Sequence, residues 1–410
     1  MSTWASIVPL IGGETIAMEN IFKTRPEYFL TFDGFQANEE HLRNYYNNEI
    51  PYLNLSEGVK HPSKVDVVNT ICPCAGLSSL SPSASSNNPA NDWMIKSAEY
   101  VLSEMSPKVF WGENAPRLAS KMGAPVVKRL RKIADENGYT FSIFKTKSLL
   151  HGLSQVRDRT FYFFWKGDTV PLFEYINIPP TMIADDIRAV VNDKNDPMSQ
   201  ILCNEKKPSD DPYYKFILDS IEGGITHKEF AAKIAKTTNV QDYIEEHTTY
   251  NKVAEWMREH GYDNVARKCD RAYHKLKAGG NIMRKGVEIP KDKIGAFVGH
   301  MPTSIAHPDE DRFLTVREAM SLMKLPNDYQ MINAKRSLNH MCQNVPVTTA
   351  EHPAAMVKKY LEGKLDEGKK IKIGQQFNAD GITWKVMVQD NKKRNYKCEK
   401  NSLQLTEFML

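Results

Sequence analysis

No stretch of this chain is apolar enough, for long enough, to span a bilayer, and its first 25 residues already carry Glu14, Glu19 and Asn20. A membrane anchor and a secretory leader are both argued against. Charge of one sign is also scarce: 54 Lys and Arg face 50 Asp and Glu, a formal net charge of +4. So small a surplus proves no nucleic-acid partner, and what matters is where the basic residues sit. There is no disulfide framework. The six cysteines, at 72, 74, 203, 269, 342 and 398, are scattered without regular spacing, which implies reduced thiols in a cytoplasmic setting. Internal repeats and long low-complexity tracts are absent too. What remains is 410 residues, 41% hydrophobic and 25% charged, enough for two or three domains with real cores.

The first 165 residues alternate strand-like and helical runs. Ser6–Ile11 reads as a strand with a late proline, Glu14–Phe22 as a helix, and Tyr28–Phe32 and Val65–Ile71 as strands. Helix Trp93–Met105, strand Val109–Trp111, helix Val126–Asn137 and strands Phe141–Lys145 and Thr160–Trp165 follow. Such alternation predicts an α/β domain with a largely parallel sheet. Past Gly167 the pattern changes: prolines mark loops, residues 213–276 are mostly helical, and Asn251–Leu276 is the clearest amphipathic stretch. Helical patterns return from about 311, and residues 371–410 read as a small β unit with turns at Asp380-Gly381 and Asn391-Lys392.

Gly12-Gly13 follows the first strand and opens a helix, so backbone N–H groups and the positive helix end face a ligand. Asp33, at the end of the next strand, lies twenty residues beyond Gly13, a spacing suited to binding ribose hydroxyls. The third strand runs into Cys72-Pro73-Cys74 at the carboxyl edge of the expected sheet. One residue between cysteines is not zinc-site spacing, and no nearby His or Cys completes four ligands, so no metal is expected. Cys72 is read as packing; the spacing alone leaves Cys74 open. Glu113-Asn114 follows another strand, and Gln155-Val156-Arg157-Asp158-Arg159 begins the last one, with two arginines directed to one side.

Taken together and in this order, these motifs resemble those of the DNA (cytosine-5) methyltransferases. Pro73-Cys74-Ala75-Gly76-Leu77-Ser78 is similar to the family's nucleophile loop, Glu113-Asn114-Ala115 to its Glu-Asn-Val motif, and Gln155–Arg159 to its Gln-x-Arg-x-Arg motif. Arg312–Ala319 and Gln343-Asn344-Val345-Pro346 are similar to its last two motifs, so the resemblance spans about residues 5–362. Two departures stand out. Val8–Gly13 lacks the aromatic and first glycine of the family's cofactor loop, and Ala75 replaces the glutamine after the nucleophile.

The resemblance implies a Rossmann-like S-adenosylmethionine-dependent catalytic domain over 1–167, completed by 311–365. It further implies a smaller target-recognition domain over 168–310 and a small C-terminal β extension over 366–410. Cys74, Glu113, Arg157 and Arg159 are the implied catalytic residues, with Arg157 holding the sugar-phosphate. Ile11, Gly12, Gly13, Asp33, Pro73, Asn344 and Val345 are the implied contacts of S-adenosylmethionine. Ser78, Asn114, Gln155, Arg284 and Lys285 are implied contacts of the substrate, double-stranded DNA. Arg267, Lys268, Arg271, Lys275, Lys277, Lys291 and Lys293 are further phosphate-binding candidates. A cytoplasmic monomer in a bacterial or phage-infected cell, without membrane association, is expected. The alternatives are a DNA-binding relative without activity and an enzyme acting on RNA.

Overall fold

The computed structural model describes residues 2–78, 81–369, 375–379 and 382–386. Its centre is a nine-stranded sheet. The strands are β1 (Trp4–Ile7), β2 (Phe29–Thr31), β3 (Tyr52–Asn54), β4 (Val67–Ile71), β5 (Val109–Asn114), β6 (Tyr139–Lys147), β7 (Asp158–Lys166), β8 (Gln375–Ala379) and β9 (Ile382–Val386). Their spatial order is β8-β9-β6-β7-β5-β4-β1-β2-β3. From β3 to β5 all neighbours are parallel; β7, β6, β9 and β8 continue the sheet with antiparallel pairings.

Alternating side chains divide the sheet into two buried faces. Trp4, Val67, Trp111, Phe163 and Trp165 lie on one, packed with α1 (Gly13–Phe22) and the helix Val347–Leu361. Ala5, Val68, Phe110, Tyr162 and Phe164 lie on the other, packed with Asp92–Tyr100 and Ala124–Glu136. Ala124–Glu136 follows its sequence pattern, with Val126, Val127, Leu130, Ile133 and Ala134 forming one buried stripe. Aromatic rings tie β5 to β7: Trp111 stacks on Phe163 at 6.0 Å, and Phe110 on Phe164 at 5.4 Å.

A third core lies in residues 214–313 and is built mainly from helices, with Tyr214, Phe230, Ile244, Val253 and Met257 at its centre. The stretch Asn251–Leu276 is two helices, Tyr250–Glu259 and Asp263–Lys277, because Gly261 takes φ 77° between them. Farther on, Thr315 and Glu318 form a reciprocal capping box, and Arg317 grips the Asp196 carboxylate at 2.7 and 2.9 Å. The conspicuous 312–319 motif is therefore a helix start fastened to a distant loop.

Other expectations needed revision. The helix Gln36–Tyr45 and strand β3 were not expected. Strand β5 runs through Glu113 and Asn114, so Glu113 is a sheet residue. At the C-terminal end, β8 and β9 form a hairpin that pairs β9 with β6, extending the central sheet. The expected strands at 371–374 and 396–400, and both proposed turns, lie outside the described residues.

Two buried ionisable groups hold distant segments together. Arg157, 1% exposed, donates to the carbonyls of Phe297 (2.6 Å), Cys342 (2.8 Å) and Asn344 (2.5 Å). Its expected hold on a sugar-phosphate is corrected by this geometry, since Nη1 and Nη2 are committed to the backbone. Glu39 anchors Gln36–Tyr45 by accepting from Thr31 Oγ1 at 2.6 Å and from the Tyr52 hydroxyl. Burial pushes its pKa up to about 7, against hydrogen bonds from Thr31 and Tyr52 and the charge of Arg43.

Replacing Arg157 with Met leaves three buried carbonyls without their donor, and the expected loss is about 3–5 kcal/mol of unfolding free energy in urea titrations. Glu39 makes a pH prediction. The folded protein keeps a proton that an unfolded Glu loses near pH 4.3, so this group's stabilisation is full below that pH and drains away as pH rises through about 7. Glu39→Gln does not titrate. Between pH 4.5 and 7.5 it should lose less stability than wild type, by at most about 3 kcal/mol, in the same measurement.

Candidate active site

The site lies where β1, β4 and β5 end. β1 leaves the sheet at Ile7; Val8 and Leu10 both take φ 50°, and Gly12, at φ 89°, turns the chain into α1. A side chain at either glycine would collide. A Cβ on Gly12 would fall 2.3 Å from Leu42 Cδ1, and one on Gly13 would fall 2.2 Å from the Val345 carbonyl and 2.5 Å from Asn344 Nδ2. The two glycines therefore let Asn344-Val345 close against a turn that lies more than three hundred residues earlier.

On β4, Ile71 is the register partner of Glu113 on β5, so Pro73-Cys74 leaves the sheet beside Glu113. Cys74 is half-buried and Ala75 exposed. Cys72 is buried, near Thr70 Oγ1 (3.4 Å), Ser97 Oγ (3.9 Å) and the Tyr162 hydroxyl (3.9 Å), and burial pushes its thiol up to about 11. It is the packing residue the sequence implied. The loop beyond is held by Gly76, whose carbonyl accepts from Ser85, and by Asn91, which donates to the Ser85 and Ser86 carbonyls. The Ser78 carbonyl accepts from Arg117 at 3.3 Å.

Glu113 is fully buried, and its Oε2 lies 3.0 Å from Arg159 Nε. This ion pair is not aligned as a hydrogen bond, so among the described residues both carboxylate oxygens and Arg159 Nε remain without one. Burial raises the Glu113 pKa, against the lowering charges of Arg159 and Arg157. Arg157 feels both Glu113 and Cys74; burial and Arg159 push its pKa below the usual guanidinium range. Cys74, Glu113, Arg157 and Arg159 are thus within electrostatic reach of one group.

Other predicted residues have different surroundings. Gln155 is buried and donates to the Leu322 carbonyl at 2.8 Å, while Asn114 donates to Met94 Sδ and caps its own turn through Ala115 N–H. Both are corrected from DNA contacts to structural roles. Ile11 is a core residue whose carbonyl accepts from the Tyr329 hydroxyl, and Val345 is likewise buried in that core. Asp33 is exposed at the end of β2 and accepts from Asn54 at 2.8 Å. Arg284 and Lys285 lie beside the third core, next to Asp242, Glu245 and Gln241. Arg284 is held by Glu245 and Asp242, while Lys285 is exposed.

Sequence reasoning missed Glu14, Asn69 and Trp111: both oxygens of Glu14, Asn69 Nδ2 and Trp111 Nε1 are buried without a hydrogen bond among the described residues, as is the side-chain amide of Asn344. Asn69 and Trp111 are register partners, two residues short of the edge where Glu113 lies. A carboxylate directly after Gly-Gly was the one signal available for Glu14. A turn cradled by glycines and lined by unsatisfied polar atoms suits a small polar cofactor such as S-adenosylmethionine. The turn lacks an aromatic, but Phe32 and Phe35, at the end of β2, pack on Trp93 at 5.3 and 4.9 Å.

The chain is 21% identical over 311 residues to the Type II methylase M.HgiDII of Herpetosiphon aurantiacus, covering 73% of this chain and 78% of that one. Its fold resembles that of a prophage-encoded E. coli protein assigned as a DNA modification methyltransferase, with a TM-score of 0.57 and 13% identity, over 88% of this chain and 100% of that one. An Entamoeba histolytica methyltransferase gives a TM-score of 0.50 and 13% identity over 88% and 99%. Residues 17–359 match the model of the C-5 cytosine-specific DNA methylases, and the chain belongs to that family.

Proposed function

We propose that this protein transfers a methyl group from S-adenosylmethionine to C5 of cytosine in duplex DNA. The observation that carries the proposal is the buried Glu113–Arg159 pair, with hydrogen-bonding atoms to spare, at the sheet edge where the Pro73-Cys74 loop emerges.

Cytosine C5 is a weak nucleophile. Addition of the Cys74 thiolate to C6 forms a C–S bond and moves an electron pair toward C5 and N3. Glu113, whose pKa burial raises, donates a hydrogen bond at N3 in its protonated form, and Arg159 stabilises the charge that gathers at O2. S-adenosylmethionine, when bound, supplies the electrophilic methyl group that C5 takes up. Loss of the C5 proton then expels the Cys74 thiolate and restores the ring. A base within a duplex cannot reach Cys74, so the nucleotide is flipped out, at a cost of a few kcal/mol. Gly12, Gly13 and Asn344 hold the amino-acid end of the cofactor, Asp33 the ribose, and the Phe32–Trp93 rings the adenine.

Target recognition falls to the third core and its surroundings, residues 168–310. There a cavity of about 510 Å³ is lined by Tyr213, Lys268, Arg271, Lys275, Met283 and Lys285. Such a basic groove suits phosphate contacts, which supply affinity rather than base identity.

Two experiments test this. With labelled S-adenosylmethionine and duplex DNA, label should appear on cytosine C5 and be absent with Cys74→Ala, while Glu113→Gln should lower kcat by roughly 10²–10³-fold. No transfer by wild type to DNA, or label on RNA alone, would sink the proposal. Combining Lys268→Ala, Arg271→Ala and Lys275→Ala should raise KM for DNA and flatten the log–log salt dependence of binding by about three, with kcat nearly unchanged. Fluorescence anisotropy across a salt series reads the slope.

A further inference from the structure

Glu14 has no part in the chemistry above, yet it is fully buried and neither carboxylate oxygen has a hydrogen bond among the described residues. Leaving such a group unsatisfied is costly, and nothing in the packing requires a carboxylate there. Its position is fixed from two sides. It directly follows Gly12-Gly13, in the first turn of α1. The next residue, Thr15, lies with its Oγ1 3.0 Å from Ser6 Oγ, and Ser6 in turn donates to Asn69 Oδ1 at 2.7 Å. That chain seats the helix start over the sheet row Ser6, Asn69 and Trp111, which are register partners across β1, β4 and β5. Glu113 projects from the same face of β5 as Trp111, two residues on. Glu14 therefore lies between the cofactor turn and the carboxyl that meets the base.

In a methyl-transfer site, the region between those two features is where the reactive sulfur must come. We infer that Glu14 is a cofactor-binding residue, the anionic partner of the positively charged sulfur of S-adenosylmethionine. The inference rests on the methyl-donor assignment above. A sulfonium has a fixed charge and no N–H to donate, so a carboxylate complements it where a neutral acceptor would do so weakly.

The groups acting on Glu14 are Glu113 from β5 and Asn69 from β4; Cys72 and Tyr162 feel it in turn, and Arg157 and Arg159 act on Glu113. Asn69 favours the charged carboxylate, although no aligned hydrogen bond joins the two. Burial outweighs it and raises the Glu14 pKa well above the usual carboxylate range, which favours a proton on Glu14 when no cation is near. A cation beside it shifts the balance, and Glu14 releases that proton to solvent. When the sulfur becomes neutral after methyl loss, Glu14 takes a proton back and its attraction for the cofactor product disappears.

The test is calorimetric titration of the full chain with S-adenosylmethionine and with S-adenosylhomocysteine, in buffers of different ionisation enthalpy. Wild type should release about one proton per S-adenosylmethionine and few per S-adenosylhomocysteine. Glu14→Gln should abolish the difference in proton release and cut the preference for the charged ligand about tenfold, with S-adenosylhomocysteine affinity held within about twofold. Glu14→Leu should behave alike and, free of an unsatisfied carboxyl, melt no lower than wild type without ligand. Equal weakening of both ligands, or an unchanged preference, would overturn the inference alone. Wild type releasing no extra proton with S-adenosylmethionine would overturn it without any variant. Wild type binding neither ligand would overturn the methyl-donor assignment and this inference together.

Discussion

A buried cation organises this molecule. Arg157 is enclosed at the foot of β7, and its two terminal nitrogens satisfy the carbonyls of Phe297, Cys342 and Asn344. A guanidinium suits the task because its donors spread in one plane and it stays charged when desolvated. The same cation stands within electrostatic reach of Glu113 and Cys74. One side chain therefore sets both the closure of the chain around the site and the potential inside it. The second arginine of the motif, Arg159, remains partly uncommitted, with Nε facing Glu113 and Nη1 donating to the Asp158 carbonyl. Two arginines one residue apart thus divide the labour between architecture and site.

The polar atoms left without hydrogen bonds show how the site departs from the rest of the core. Many buried polar groups elsewhere are paired: Tyr139 with the Pro107 carbonyl, Trp165 Nε1 with Ser142, His227 with Tyr214 and the His307 carbonyl; single atoms such as Glu39 Oε1, His151 Nδ1 and Thr160 Oγ1 are not. Around the carboxyl ends of β1, β4 and β5, the pairing lapses at Glu14, Asn69, Trp111, Glu113 and Asn344. Such a concentration costs stability, and a family built for tight ligand complementarity carries that cost at its site.

Much of the fold was legible in the sequence because it rests on periodicity. The first five long strands and helices announce themselves through apolar runs and turn residues, and α1 and Ala124–Glu136 fall within a residue or two of expectation. Gln36–Tyr45 was not legible: QANEEHLRNY has only a few scattered apolar residues, and what holds it is Leu42, His41 and Glu39 docking on partners far away. Glu113 read as a loop residue because glycine at 112 looks like a strand end. In the sheet, that glycine is required: a Cβ there would lie 2.5 Å from Thr70 Cγ2 and 2.7 Å from the Tyr162 hydroxyl. For Arg157, Gln155 and Asn114 the sequence did not show what the side chains touch. Polarity alone cannot separate Arg157, Gln155 and Asn114, which turn inward to backbone and sulfur, from Arg159, which keeps a free face.

The contact between Gly13 and Asn344-Val345 also sets an order of events. On the ribosome, the Gly12-Gly13 turn is made long before Asn344-Val345, so its lid is in place only after residue 345. Throughout most of synthesis, the turn and its buried carboxyl stand open to water and to any passing chain. The wait is long, because the whole third core must be translated in between, and contacts of such separation in sequence form slowly. A nascent or truncated chain therefore displays the Pro73-Cys74 loop beside an open Gly12-Gly13 turn, and closure of that turn arrives late in the folding of each molecule.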